Sequence, residues 1–349
     1  MVGIAFLGAG IFAKEAHLPA IAEHKANLLA VYSRSTRSAE SLKSAADDLS
    51  IPTSQVDVYS DEQEPLGRGL SQLLDRSDIA AVIVVLPILV QPDVVRRCLA
   101  AGKHVLCEKP IAKDVAAASQ LIVEYEKEFL PKSLVFSIAE QFRYDRAFTH
   151  VRDLIADGKI GSLNHVHARV WGNIEPGSNK WYETEWRKNP EYQGGFVLDG
   201  GVHFVALIRY ISGQEVVNTT SLVSQTYKHL PPLDTVNAAL RFENGTLGSL
   251  SISFASAKKI FEFIFVGDDK VVTVSGADGG SRIKLEDGDG KVLSAEVIDG
   301  QGVSEEIKAF LQAAAIGKAD SRAGPREALA DLAVIESICS GGGDVAVSL

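Results

Sequence analysis

The stretch Gly3-Ile4-Ala5-Phe6-Leu7-Gly8-Ala9-Gly10-Ile11-Phe12-Ala13 decides the fold. Ile4 to Leu7 is a short apolar run that reads as a strand, and the residues from the glycines to about His24 read as a helix. Between them, Gly8 permits a tight turn and Gly10 lets the backbone approach a pyrophosphate. Ala13 in place of a third glycine still allows close helix–strand packing. The helix N-terminus that follows offers unpaired N–H groups and the positive end of a dipole. Such a pattern is weak alone and specific when it opens a βαβ unit. Gly8, Gly10, Ile11, Phe12 and Ala13 are therefore expected to hold a dinucleotide.

Outward from this stretch the alternation continues. Leu28 to Tyr32 reads as a strand and Ser38 to Asp48 as a helix. Ile79 to Leu86 is a continuous apolar run, as in a strand covered on both faces. Asp93 to Ala101 reads as a helix closed by Gly102, His104 to Cys107 as a strand, Val115 to Phe129 as a helix and Leu134 to Ile138 as a strand. This predicts a doubly wound parallel sheet, an α/β Rossmann domain over residues 1–140. Past that point the texture changes. After a helix over 149–158, strands are predicted at 163–171, 216–228, 234–242, 246–255, 260–266, 270–275, 281–285 and 291–298. Helices are placed near 203–211, 304–316 and 326–339. Val166, Ala168 and Val170 alternate with His165, His167, Arg169 and Trp171, which gives one apolar and one polar-aromatic face. Asn244-Gly245 and Asp287-Gly288-Asp289-Gly290 sit where hairpin turns fall. Residues 141–349 thus read as a second, α+β domain built on a mostly antiparallel sheet.

Composition bounds the function. A chain of 349 residues is long for one core. A net charge of -10 argues against nucleic-acid or anionic-membrane partners. No apolar run reaches the ~18 residues of a membrane span, and the first residues lack a basic signal-peptide region. Cys98, Cys107 and Cys339 are scattered, as expected of buried thiols in a reducing, cytoplasmic setting. His165 and His167 are joined by no ligand at metal spacing, and Asp287-x-Asp289-Gly290 lacks the later positions of a calcium loop, so no metal is expected.

Three segments carry candidate chemistry. Where an NAD enzyme places an acid for the ribose, this chain has Ser33-Arg34-Ser35-Thr36-Arg37. Ser33, Arg34, Ser35 and Arg37 suit a 2′-phosphate, which a guanidinium binds in a planar, bidentate way, so the expected cofactor is NADP(H). The plain alternative is a solvated loop. Glu108-Lys109-Pro110 follows a strand at the sheet's carboxyl edge, where open α/β folds bind ligands. Lys109 there is either a reacting group or a solvated lysine. In Gly194-Gly195-Phe196-Val197-Leu198-Asp199-Gly200-Gly201-Val202-His203, a helix would put Asp199 and His203 on one face. That pairing suits acid–base chemistry. The alternative is a capping aspartate beside a packed histidine.

Together these residues resemble the glucose–fructose oxidoreductase, inositol dehydrogenase and rhizopine-catabolism (Gfo/Idh/MocA) family. The resemblance rests on Gly8 to Ala13, Ala101-Gly102-Lys103-His104-Val105-Leu106-Cys107-Glu108-Lys109-Pro110, Trp186-Arg187 with Gly194-Gly195 and Asp199-x-x-x-His203, and the closing helix Glu327 to Glu336. The Trp186 to His203 segment is similar to a fungal branch of cytosolic NADP-linked members. The resemblance implies that residues 141–349 form a substrate-binding and oligomerisation domain on an open antiparallel sheet, with homodimers or homotetramers formed through that sheet. It implies catalytic roles for Lys109, His203 and Asp199, cofactor contacts from Leu86, Pro87, Glu108, Lys109, Gln141, Trp186 and Arg187, and substrate contacts from Lys109, Tyr182, Arg187, Asp199 and His203. Two departures stand out. Pro87-Ile88-Leu89-Val90-Gln91 replaces the usual Pro-Asn with a histidine three residues on, and Gln141 stands where an asparagine is usual. The expected activity is hydride transfer between NADP(H) and a carbinol or carbonyl carbon of a small sugar, polyol, aldehyde or ketone. A non-catalytic NADP sensor of the same fold and a redox-neutral enzyme that retains its nucleotide are the alternatives.

Overall fold

The computed structural model describes residues 2–347. Strands β1 (Gly3–Leu7), β2 (Asn27–Ser33), β3 (Asp57–Ser60), β4 (Ala81–Val84), β5 (His104–Glu108) and β6 (Phe136–Ala139) pair in the order β3-β2-β1-β4-β5-β6. Every pairing is parallel. The crossovers carry α1 (Leu18–Glu23), entered through a π-helical turn at Ala13–His17, then α2 (Thr36–Asp48), α3 (Leu70–Leu74), α4 (Gln91–Ala100) and α5 (Val115–Glu128). β1 and β4 are buried along their whole length, which is why their sequences are apolar without alternation. Between them the strand order reverses, the place where such sheets bind ligands.

Two elements here escaped the sequence reading. Strand β3 has only four residues, Asp57, Val58, Tyr59 and Ser60, and so shows no apolar run. Helix α3 has five residues. The strand expected through Leu86 ends at Val84, so Leu86 and Pro87 lie in the loop beyond it.

The second unit is built on α6 (Arg146–Ala156), β7 (Leu163–Asn173), α7 (Glu185–Lys188), α8 (Phe196–Ser212), β8 (Val216–Ser224), β9 (Thr235–Phe242), β10 (Leu247–Ser253), β11 (Ala255–Gly267), β12 (Lys270–Ala277), β13 (Gly280–Asp287) and β14 (Val292–Ile298). The segment expected as a strand through residue 228 ends at Ser224. β7 pairs parallel with β10 and antiparallel with β11, and the other pairings of this sheet are antiparallel. Val166, Ala168 and Val170 are buried, while His165, His167 and Arg169 are exposed. The buried face packs on α6 and α8. Across the other face, register places Thr220, Ala239, Ser249, His167, Ile264 and Thr273 in one row.

The expected single boundary near residue 140 needs correcting. The chain divides into Met1–Gln141 with Val303–Ala328, and Phe142–Gly302 with Leu329–Leu349. The returning segment holds most of α9 (Gly302–Ile316), whose Ile307, Phe310, Ala313 and Ala314 complete the core around β1 and α2. α10 (Pro325–Ser340) and the unforeseen strand β15 (Gly342–Ala346), which pairs with β8, close the chain. α10 is fixed by ions as well as by apolar packing. Buried Asp331 accepts from Arg143 Nη2 at 2.7 Å and also pairs with Arg209 of α8.

Candidate active site

The glycine loop has the shape its sequence requires. Gly8 has φ of +113°, and a Cβ there would lie 2.0 Å from the carbonyl oxygen of Val85. Only glycine adopts this conformation in this space. Gly8 N donates to Tyr32 O at 2.9 Å, which locks the turn to β2. At Gly10 a Cβ would meet nothing within 4 Å, so its side faces open space. A continuous helix over residues 11–23 follows directly, with its N-terminus at the glycine loop.

At the end of β2, Ser35 caps α2 by accepting from Ser38 N at 3.2 Å. Arg34 and Arg37 are exposed. The loop after β3 brings acids to this point that sequence spacing did not disclose. Tyr32 Oη donates to Asp61 Oδ1 at 2.6 Å, and Glu62 Oε2 accepts from Thr36 N at 2.9 Å. Burial and then the Asp61 carboxylate push the Tyr32 phenol far above its ordinary value. These acids open the 3₁₀ turn that follows β3, and both are spoken for by β2 and α2.

On the carboxyl edge of the same sheet, Lys109 directly follows β5 and is half-buried. Glu108, expected on the cofactor, is buried with its carboxylate 2.6 Å from His17 Nε2, and its other oxygen accepts from Lys109 N at 3.2 Å. Gln91, one of the two departures from the family pattern, donates through Nε2 to Glu108 O at 3.0 Å and Pro110 O at 3.1 Å. His17 was not anticipated, and Gln91 stood out only as a departure from the family pattern. The one available signal was a histidine on the buried side of an otherwise apolar helix. Gln141 lies in a 3₁₀ turn with a buried Oε1 that has no partner among the described residues. The open side of Gly10, the unmet Oε1 of Gln141 and the two exposed guanidiniums fit a phosphate-bearing dinucleotide.

In the second unit the candidate residues cluster around the start of α8. This helix begins at Phe196, seven residues earlier than expected, and its N-cap is Gly195 rather than Asp199. Gly195 has φ of +50°, and a Cβ there would lie 2.3 Å from Pro231 O. Asp199 is 7% exposed, in the first turn, where a carboxylate complements the helix dipole. It accepts from Arg187 Nε at 2.7 Å. Arg187 lies over Trp186 at 4.0 Å from the ring centroid and over Trp181 at 5.4 Å. Burial, and secondarily the Asp199 charge, push the Tyr192 phenol up. The His203 ring stacks on Phe142, with centroids 4.9 Å apart. Tyr182 packs with Phe196 and His229 beside the cluster of Ile174, Phe196 and Leu230. Aromatic faces, an arginine and a buried acid are thus assembled within one unit.

Comparison with known proteins identifies the family. Residues 2–130 match the model of the oxidoreductase family with an NAD-binding Rossmann fold, and residues 148–280 match the GFO/IDH/MocA C-terminal domain. The chain is 41% identical over 345 residues to the dehydrogenase FPY6 of Fusarium mangiferae, covering 97% of this chain and 95% of that protein. It is 27% identical over 268 residues to the myo-inositol 2-dehydrogenase of Thermotoga maritima, covering 70% of this chain and 76% of that one. The crystal structure of an oxidoreductase from the same bacterium superposes with a TM-score of 0.84 at 29% identity, covering 99% of this chain and 98% of that one. The chain belongs to the GFO/IDH/MocA family of oxidoreductases.

Proposed function

We propose that this protein transfers a hydride reversibly between NADP(H) and a carbinol or carbonyl carbon of a small, polyhydroxylated, sugar-like substrate. The observation that carries this reading is the carboxyl edge of the first sheet. There a glycine loop shaped for a dinucleotide and Lys109 stand on one rigid parallel scaffold. NADP is favoured over NAD because β2 ends in Ser33-Arg34-Ser35-Thr36-Arg37, whose guanidiniums are exposed, while Glu62 is tied to Thr36 N. The polyol dehydrogenase among the relatives and the aromatic and charged groups around Asp199 support a hydroxylated substrate.

A bound nicotinamide would supply or accept the hydride. His203 takes the hydroxyl proton in the oxidative direction and returns it in the reductive one. Lys109 lowers the hydroxyl pKa and stabilises negative charge developing on oxygen. Asp199 and Arg187 orient substrate hydroxyls, with Tyr182, Trp181 and Trp186 as apolar walls. Gly8, Gly10, Ile11, Phe12 and Ala13 would receive the pyrophosphate, and Leu86, Pro87 and Gln141 would contact the nicotinamide half. We place the protein in the cytosol as a homodimer or homotetramer. No helix among the described residues is long and apolar enough to cross a membrane.

The direct test is a screen of aldoses, polyols, aldehydes and ketones for NADPH oxidation and NADP reduction. Turnover with a polyol or sugar, preferring NADP, is expected. Activity confined to NAD, or to unhydroxylated carbonyls, sinks the corresponding part of the reading.

A further inference from the structure

Around the backbone of Lys109 lie three buried side chains that the hydride chemistry does not use. His17 is wholly buried at the end of the π-helical turn that follows the glycine loop. Its Nε2 lies 2.6 Å from Glu108 Oε1. A carboxylate only accepts, so Nε2 carries the hydrogen and donates. The second oxygen of Glu108 takes the N–H of Lys109 at 3.2 Å. From the far side, Gln91 spends both hydrogens of its Nε2 on the carbonyls of Glu108 and Pro110, the residues flanking the lysine. Gln91 is also wholly buried.

The other nitrogen of His17 argues that this is more than packing. Nδ1 has no partner among the described residues, and the rings of Phe6 and Phe12 approach His17 edge-on at 5.8 and 5.2 Å. A buried polar atom without a partner is a cost. A leucine would fill the same apolar surroundings without it. What a leucine lacks is the donor to Glu108. The π-helical turn is a further departure from regular helix, and such turns recur at functional sites.

We propose that His17 is a positioning residue. Through Glu108 it ties the main chain of Lys109 to the helix that receives the dinucleotide, so the lysine and the phosphate-binding loop move as one body. Gln91 completes the clamp on the opposite side. This inference rests on the proposed role of Lys109 in hydride transfer, since only that role gives the clamp a purpose.

The test uses the full chain and the variants His17→Leu, His17→Gln, Glu108→Gln and Lys109→Ala. Glutamine at position 17 keeps a donor for Glu108. Glu108→Gln keeps a partner for His17 and weakens the tie to Lys109 N, so it serves if His17→Leu fails to fold. Amide hydrogen exchange of the segment from Val105 to Lys113 is measured without substrate. It is expected to accelerate in His17→Leu and Glu108→Gln and to return toward wild type in His17→Gln. The dissociation constant for NADPH, read from its fluorescence, is expected to change little. kcat is expected to fall by up to ~100-fold in His17→Leu, the scale of a small misplacement of a reacting group, with rescue by His17→Gln. Unchanged exchange in folded His17→Leu and Glu108→Gln overturns the clamp, as does a folded His17→Gln that rescues nothing. If the exchange pattern appears while Lys109→Ala keeps full kcat, the clamp stands and the catalytic role of the lysine falls.

Discussion

Arg187 Nε donates to Asp199 Oδ2 at 2.7 Å, and both side chains are largely shielded, at 14% and 9% exposure. The pair joins the short helix α7 to the first turn of α8. Sequence spacing offered Asp199 only the histidine one turn on, whereas folding gives it a guanidinium from twelve residues earlier. An ion pair at this depth is costly to break by halves. Arg187→Ala should destabilise the protein by about 3–5 kcal/mol, because the carboxylate stays buried without its counter-ion. Arg187→Lys should recover little, since an ammonium neither stacks on Trp186 nor reproduces the planar donor. Asp199→Asn keeps an acceptor and should cost less. Urea unfolding midpoints read all three, and an unchanged midpoint for Arg187→Ala refutes the argument.

The cofactor preference rests on the loop after β2. Arg34→Ala should raise the KM for NADP several-fold and leave weak NAD use nearly unchanged, because a guanidinium recognises the extra phosphate alone. Glu62→Gln should keep its bond to Thr36 N and relieve repulsion of a 2′-phosphate, so NADP binding should tighten slightly. Calorimetry on the wild type is decisive: NAD binding tighter than NADP removes the premise.

Burial governs the thiols. It pushes Cys98 and Cys339 up to about 12 from an ordinary 9.0, and Cys107 well above it. A folded pKa raised above the unfolded one means stability that is intact below the unfolded value and lost as pH climbs toward the folded one. Unfolding free energy should therefore decline between pH 9 and about 12, and Cys98→Ala should flatten that decline. Near neutral pH, a disulfide reagent should label none of the three until denaturant is added. Rapid native labelling contradicts the burial argument.

Much of this architecture was legible in the sequence, and the exceptions have physical causes. The glycine turn, the apolar runs of β1 and β4 and the alternation along β7 report local backbone and burial, which periodicity records directly. Strand β3 was hidden because four residues at a sheet edge need no apolar pattern. The return of α9 to the first core was hidden because chain order says nothing about which core Ile307 and Phe310 complete. In the candidate site, Lys109 at the end of a strand and Asp199 and His203 among glycines were conspicuous as chemistry-bearing residues. His17 and Gln91 were not, since their significance lies wholly in partners 91 and 17 residues away.

The open face of the second sheet gives an assembly prediction. Leu222 is 79% exposed and Leu247 49% on strands whose same face carries Ala239, Ser249 and His167. Small and apolar side chains in register suit burial against a second copy. Ala239→Glu should shift the protein from a dimer or tetramer toward monomer in light scattering, with its circular dichroism unchanged. A wild type that is monomeric across micromolar concentrations defeats the idea.

The last prediction concerns the proton. His203 is half-buried on α8, stacked on Phe142 at 4.9 Å and one turn after Asp199. The stack fixes the plane of the ring, and a fixed imidazole loses little freedom when it takes a proton from a bound hydroxyl. General acid–base catalysis contributes ~100- to 10,000-fold, so His203→Ala should lower kcat by about that factor. Cofactor affinity should hold, because the phosphate-binding loop belongs to the other unit. His203→Gln should be almost as impaired, since an amide accepts a hydrogen bond without taking the proton. Phe142→Ala should lower kcat less, by freeing the ring. Lys109→Ala should lower kcat and also weaken productive substrate binding. If His203→Ala keeps near wild-type kcat on the true substrate, His203 is a packing residue stacked on Phe142. The proton then passes through Lys109 or Tyr182, and the corresponding variants of those two residues separate the routes.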